Sequence, residues 1–87
     1  MIITKTSQAG TLESNDIVVK LMPNPEGTIQ INLQSVVFKQ FGKQIKALAL
    51  QTLENHGITS CICDLDDKGA LDYVIQARIE SAIQRNL

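Results

Sequence analysis

The sequence predicts an α+β fold, a two-layer sandwich in which a mainly antiparallel sheet of three to four strands carries two helices on one face, in the order β-β-α-β-α. Three observations predict it. Residues 17–33 hold two runs in which apolar side chains recur at every second position. Residues 37–53 change to spacings of three and four, the period of a helix face. Residues 58–65 and then 71–83 supply a further strand and a further amphipathic helix. A chain of 87 residues is one domain, 1–87, whose core leaves only a few kcal/mol of net stability.

The elements follow in order. Ile2-Ile3 is a short extended start, and the small and polar residues after it, with Gly10, Thr11 and Ser14 among them, read as an exposed, adaptable loop. Ile17, Val19 and Leu21 share one face of the first long strand and Val18, Lys20 and Met22 the other, until Pro23-Asn24-Pro25-Glu26-Gly27 turns the chain. Thr28-Ile29-Gln30-Ile31-Asn32-Leu33 alternates polar and apolar without error, the pattern of a strand with one wet face and one buried face. The two runs together predict an antiparallel hairpin. Phe38, Phe41, Ile45, Leu48, Ala49, Thr52 and Leu53 then mark one side of a helix over about 36–55, with Ser35 as N-cap and Gly57 as the residue that ends it. Gly42 costs this helix about 1 kcal/mol relative to Ala. After the strand 58–65, Asp66-Asp67-Lys68-Gly69 is a tight connection, and Leu71, Val74, Ile75, Ile79, Ala82 and Ile83 mark a last helix running nearly to Leu87.

Composition narrows the function. A net charge of −1 and three aromatic residues, Phe38, Phe41 and Tyr73, offer neither the basic field nor the stacking platforms of a nucleic-acid binder. Apolar runs reach four residues at most, against the roughly 20 that cross a bilayer, and the start lacks the regions of a signal peptide, so the chain is expected in the cytoplasm. Cys61 and Cys63 lie two apart on one strand face, ~7 Å from each other, at or beyond the limit for a disulfide, and read as free buried thiols.

No residue constellation for catalysis emerges. The only histidine, His56, falls at a helix end and reads as a solvated residue that complements the helix dipole. Cys61-Ile62-Cys63 supplies at most half of a zinc site. Asp64, Asp66 and Asp67 miss the calcium-loop pattern, because Lys68 and Ile75 occupy positions that need ligands, so turn and capping duty is their reading. The five glycines are scattered singly, with no phosphate-cradling loop. Such a chain is a carrier, a regulator or a binding module. Leu12, Ile3, Val18 and Met22 are either docking surface or core, with core the favoured reading.

Two phrases choose among these classes: Ala9-Gly10-Thr11-Leu12-Glu13-Ser14-Asn15-Asp16, and Asp66-Asp67-Lys68-Gly69-Ala70-Leu71-Asp72, which continues into Ala77-Arg78-Ile79-Glu80. With Lys39-Gln40-Phe41-Gly42 between them, they resemble the acyl carrier protein (gamma subunit) family of citrate lyase over essentially the whole chain; Leu87 closes it sooner than in longer members. The resemblance implies a single acyl carrier domain with residues 7–15 as attachment loop and Ser14 as the site of covalent attachment, through a phosphodiester, of 2'-(5''-phosphoribosyl)-3'-dephospho-coenzyme A. It implies as partners a prosthetic-group transferase, an acetylating ligase and the alpha and beta subunits of citrate lyase. The arm would carry acetyl and citryl thioesters while those subunits cleave citrate to acetate and oxaloacetate, the chain itself being non-catalytic. Glu13 and Asp16 are then candidates for recognition by the transferase. The alternatives are the carrier of malonate decarboxylase, which uses a similar arm, and a small regulatory or ligand-binding α+β domain. Fatty-acid carriers fit less well, since there an Asp precedes the serine and a helix follows it, whereas Glu13 precedes Ser14 and strands follow.

Overall fold

The computed structural model describes residues 1–87 as four strands and two helices: β1 (Ser7–Gly10), β2 (Ile17–Met22), β3 (Ile29–Ser35), α1 (Phe38–Asn55), β4 (Cys61–Asp67) and α2 (Asp72–Gln84). The class is α+β as expected, with one more strand than the main series read from the sequence. The sheet runs β1-β2-β4-β3 and is mixed: β1 with β2 and β2 with β4 are antiparallel, β3 with β4 parallel.

The predicted hairpin of residues 17–33 does not form. Strand β4 enters between β2 and β3, pairing Leu21 with Cys63 on one side and Ile31 with Cys63 on the other. Alternation in a strand reports which face is buried and carries no information about the neighbour. The connection from β2 to β3 instead passes over the start of β4. Asn24, buried within it, donates to the Thr28 carbonyl at 2.8 Å and accepts from Ser60 Oγ at 3.2 Å, while the Cys61 amide donates to Thr28 O at 3.1 Å. Because β3 and β4 are parallel, α1 is the crossover between them.

Strand β1 occupies part of what the sequence marks as an open loop. Ser7-Gln8-Ala9-Gly10 has no strand-forming side chains, and the segment is extended because tertiary partners take up its polar groups: Ser7 Oγ donates to Ala82 O at 2.7 Å, and Arg85 Nη1 reaches Gln8 O at 2.6 Å. Of residues 7–15, expected from the sequence to form one loop, Ser7–Gly10 is strand, and the irregular segment lies between Gly10 and Ile17.

The inward faces build one core. Ile17, Val19 and Leu21 of β2 and Cys61, Cys63 and Leu65 of β4 are almost wholly buried beneath Ile45, Ala49 and Leu53 of α1 and Ile75, Ile79 and Ile83 of α2. Ile3 joins this core, tied by its amide to Ser60 O at 3.0 Å. Leu12, by contrast, stands exposed on the loop, so core is not its place. Helix α1 begins at Phe38, two residues later than expected; Ser35 caps the preceding turn instead, accepting from the Val37 amide at 3.1 Å. Phe38 and Phe41, assigned to the buried stripe, are about half exposed, and the Phe38 ring lies across Gly42, where a Cβ would approach it to 3.2 Å. Gly57, at φ +75°, ends α1 as read from the sequence. No helix is long and apolar enough to cross a membrane.

Candidate functional site

Ser14 sits on the turn that joins β1 to β2. The turn is tight, since the Asp16 amide donates to Glu13 O at 3.1 Å, and Asn15 takes the left-handed conformation at φ 66°. Gly10 makes the approach to it possible. Its φ is +95°, and a Cβ there would lie 1.7 Å from the Ile17 carbonyl oxygen. The Ser14 side chain is exposed and its hydroxyl makes no hydrogen bond, so nothing must be broken for that oxygen to be used.

Asp16 holds the turn in place. It is buried at 9% exposure, and its carboxylate is satisfied from three directions. Thr11 Oγ1 donates to Oδ2 at 2.6 Å, the Ile17 amide to Oδ1 at 2.8 Å, and Arg78 of α2 forks across both oxygens at 3.0 and 2.8 Å. The Arg78 guanidinium first, and then the Thr11 hydroxyl, hold the Asp16 carboxyl well below the usual carboxylate range, although its burial acts in the opposite direction. The same pairing raises the Arg78 pKa. Of the two residues proposed to face the modifying enzyme, Glu13 is exposed and Asp16 is not: its oxygens point into the protein. Arg78 was within a phrase singled out in the sequence, but its partner 62 residues earlier has no signature in spacing.

A second tether comes from Lys68, the residue after β4. The Asn15 amide donates to Lys68 O at 2.8 Å and the Lys68 amide to Asp16 O at 2.9 Å, continuing the β2–β4 ladder beyond the last strand pair, Ile17 with Asp67. Asp67, fully buried, accepts from Ser35 Oγ at 2.7 Å and from the Ala70 amide at 2.9 Å, turn duty of the kind its position suggested. The phrases around Ser14, Lys68 and Arg78 thus meet at one end of the sheet. His56 is elsewhere, at the far end of α1, about 27 Å along an 18-residue helix. It is not merely solvated: its Nε2 lies 2.8 Å from Glu80 Oε2, linking the two helices. Burial pushes the Cys61 thiol up to about 11 and raises Cys63 further, which makes both poor nucleophiles.

Beside the turn, a cleft of about 600 Å³ opens between α1 and the start of α2, lined by Val37, Phe41, Ile45, Ala70, Leu71 and Tyr73 among others. Gly69 forms its rim next to Asn15, whose Oδ1 would be 3.7 Å from a Cβ at that glycine.

A small α+β sandwich that holds a free hydroxyl on a turn clamped by a helix and a strand fits the class of carrier modules. Comparison with known proteins agrees. Residues 4–86 match the acyl carrier protein family described as malonate decarboxylase delta subunit (MdcD). A protein of Clostridium perfringens (strain 13 / Type A) named citrate lyase acyl carrier protein is 51% identical over 98% of this chain and 84% of its own length. One of the same name from Streptococcus pyogenes serotype M5 is 48% identical over 98% of this chain and 83% of its own. The fold is shared, at TM-score 0.80 and 21% identity, with a chain of a Pseudomonas malonate decarboxylase hetero-tetramer crystallised with malonate, over 100% of this chain and 89% of that one. The chain belongs to the citrate lyase acyl carrier protein family, and is a non-catalytic carrier.

Proposed function

We propose that this chain is the acyl carrier subunit of a citrate lyase complex and that Ser14 bears its prosthetic group, 2'-(5''-phosphoribosyl)-3'-dephospho-coenzyme A. The observation that carries the assignment to Ser14 is its unbonded, exposed hydroxyl on a turn anchored through Asp16 to Arg78 and through Asn15 to Lys68. A modifying enzyme needs a reachable oxygen, and a carrier needs that oxygen at a constant place relative to its body; the clamp serves both.

When bound, the group supplies a thiol that holds acyl units as thioesters, whose weak sulfur donation favours enolate-like charge at the adjacent carbon. The protein's share is delivery. Tethering at Ser14 gives both catalytic partners a high effective concentration of the acyl unit, provided the arm spans them. Glu13, exposed beside Ser14, is the side chain available to the transferase. The partners in this reading are the alpha and beta subunits, the transferase and the acetylating ligase. Identity of about half over nearly the full length favours the citrate lyase assignment over the malonate decarboxylase carrier, whose likeness in structure comes with 21% identity.

Intact-mass measurement of the chain from its native source tests the proposal. A mass increase equal to the arm, absent in Ser14→Ala, is expected together with loss of citrate cleavage by the reconstituted complex. An unmodified native chain, or cleavage that survives Ser14→Ala, overturns it.

A further inference from the structure

The cleft beside Asn15 presents large apolar groups to solvent at a site where nothing in the fold requires them. Leu71 is 61% exposed, Tyr73 71% and Phe41 46%, and they gather around one concavity rather than lying scattered. Its volume, about 600 Å³, is within the range of small-molecule sites, and its walls are mostly apolar, with the side chains of Gln44 and Asp72 as polar groups.

We propose that this cleft is the seat of the adenine of the arm, packed against the rings of Phe41 and Tyr73. This rests on the reading that Ser14 carries phosphoribosyl-dephospho-coenzyme A. Covalent order supports it: in that group the purine nucleoside adjoins the phosphoribosyl link to the serine, and the pantetheine thiol is the far end. The base is the arm's flat, aromatic component, and it is tethered at the residue next to Asn15, whose Oδ1 would be 3.7 Å from a Cβ at Gly69 on the cleft rim. Purine–aromatic stacking suits the two exposed rings. Asp72 and Gln44 offer acceptors for the exocyclic amine, and the negative charge of Asp72 in the first turn of α2 turns the diphosphate away from the cleft toward solvent. Seating the base moves the pivot of the arm from Ser14 to the cleft, so that the diphosphate and pantetheine alone sweep between active sites. A shorter free tether raises the concentration of the thioester at each of them.

Tyr73 reports on its own site, since the chain has one tyrosine and no tryptophan. The ratio of tyrosine emission in the arm-bearing chain to that in the unmodified chain, each identified by intact mass, is the measurement. Stacking worth about 1–3 kcal/mol per base keeps the base on the ring most of the time, so the arm-bearing form is expected to emit less than the unmodified one, a ratio below one. Phe41→Ala, at a half-exposed position, is expected to keep the arm mass and return the ratio toward one. An arm confirmed on Ser14 with an emission ratio of one overturns the proposal and leaves the carrier reading standing. Quenching that is unchanged in Phe41→Ala overturns it too, as collision of a free arm. Emission that responds only when lyase subunits are added makes the cleft a protein-docking surface, again against the proposal. A native chain with no arm on Ser14 sinks the carrier reading itself and the adenine seat with it.

Discussion

The Arg78 guanidinium, on the second turn of α2, closes a two-pronged contact on the Asp16 carboxylate, with Nε 3.0 Å from Oδ1 and Nη2 2.8 Å from Oδ2. The pair ties the serine-bearing turn to a helix that the core holds through Ile75 and Ile79. The position of Ser14 is thereby set by packing some distance away.

This contact makes stability depend on pH in a defined direction. Asp16 is held below its ordinary value in the folded chain, so in acid the unfolded chain takes up a proton that the folded one refuses. The contribution is present above the unfolded value and is lost as pH falls below ~4 toward the folded value. Urea midpoints measured from pH 7 to pH 3 should fall more steeply for the native chain than for Arg78→Ala. Equal slopes would show that the pair has no part in it.

Gly10 and Gly27 separate backbone strain from steric exclusion. Both have positive φ, but a Cβ at Gly27 meets open space whereas one at Gly10 would overlap the Ile17 carbonyl. Gly27→Ala is expected to cost about 1 kcal/mol, the ordinary penalty of a left-handed residue. Gly10→Ala must in addition push β1 from β2, so its cost in chemical denaturation should be at least twice as large, and its turn should show faster amide exchange at Asn15. Comparable costs for the two would contradict the close approach.

Ser14→Ala removes a hydroxyl that bonds to nothing. Its stability should match the native chain within about 0.5 kcal/mol while modification is abolished. A larger loss would mean that the oxygen has a structural partner.

Cys61 and Cys63 are buried at 0% exposure with thiols held protonated. Brief iodoacetamide treatment of the folded, unmodified chain should leave both untouched, and treatment in denaturant should label two sites per chain. A chain that bears the arm should gain one label when folded, on the arm's thiol. Labelling of either cysteine in the folded state would refute their burial.

Much of this fold was written in local pattern. The alternation through Ile17–Met22 and Thr28–Leu33 and the three-four spacing of Ile45, Leu48, Ala49, Thr52 and Leu53 placed strands and a helix correctly, because burial on one face imposes a period whatever the partner. Gly57 ended α1 for a reason internal to one residue, its tolerance of positive φ. Ser14 was singled out through the phrase around it, which resembles a known family. Its exposure was legible from polar neighbours, although Asp16 among them proved buried.

Partnership was decided in three dimensions alone. Nothing in residues 17–33 says that β4 must lie between the two strands, since pairing is a contest among long-range alternatives with the same facial pattern. Nothing in Ser7-Gln8-Ala9-Gly10 says strand until Ala82 and Arg85 take up its polar groups. The clamp on Asp16 and the cleft beside Asn15 belong to the same category. They arise where segments distant in the chain are brought to one end of the sheet, and local sequence records which side chains are present there without recording what they will meet.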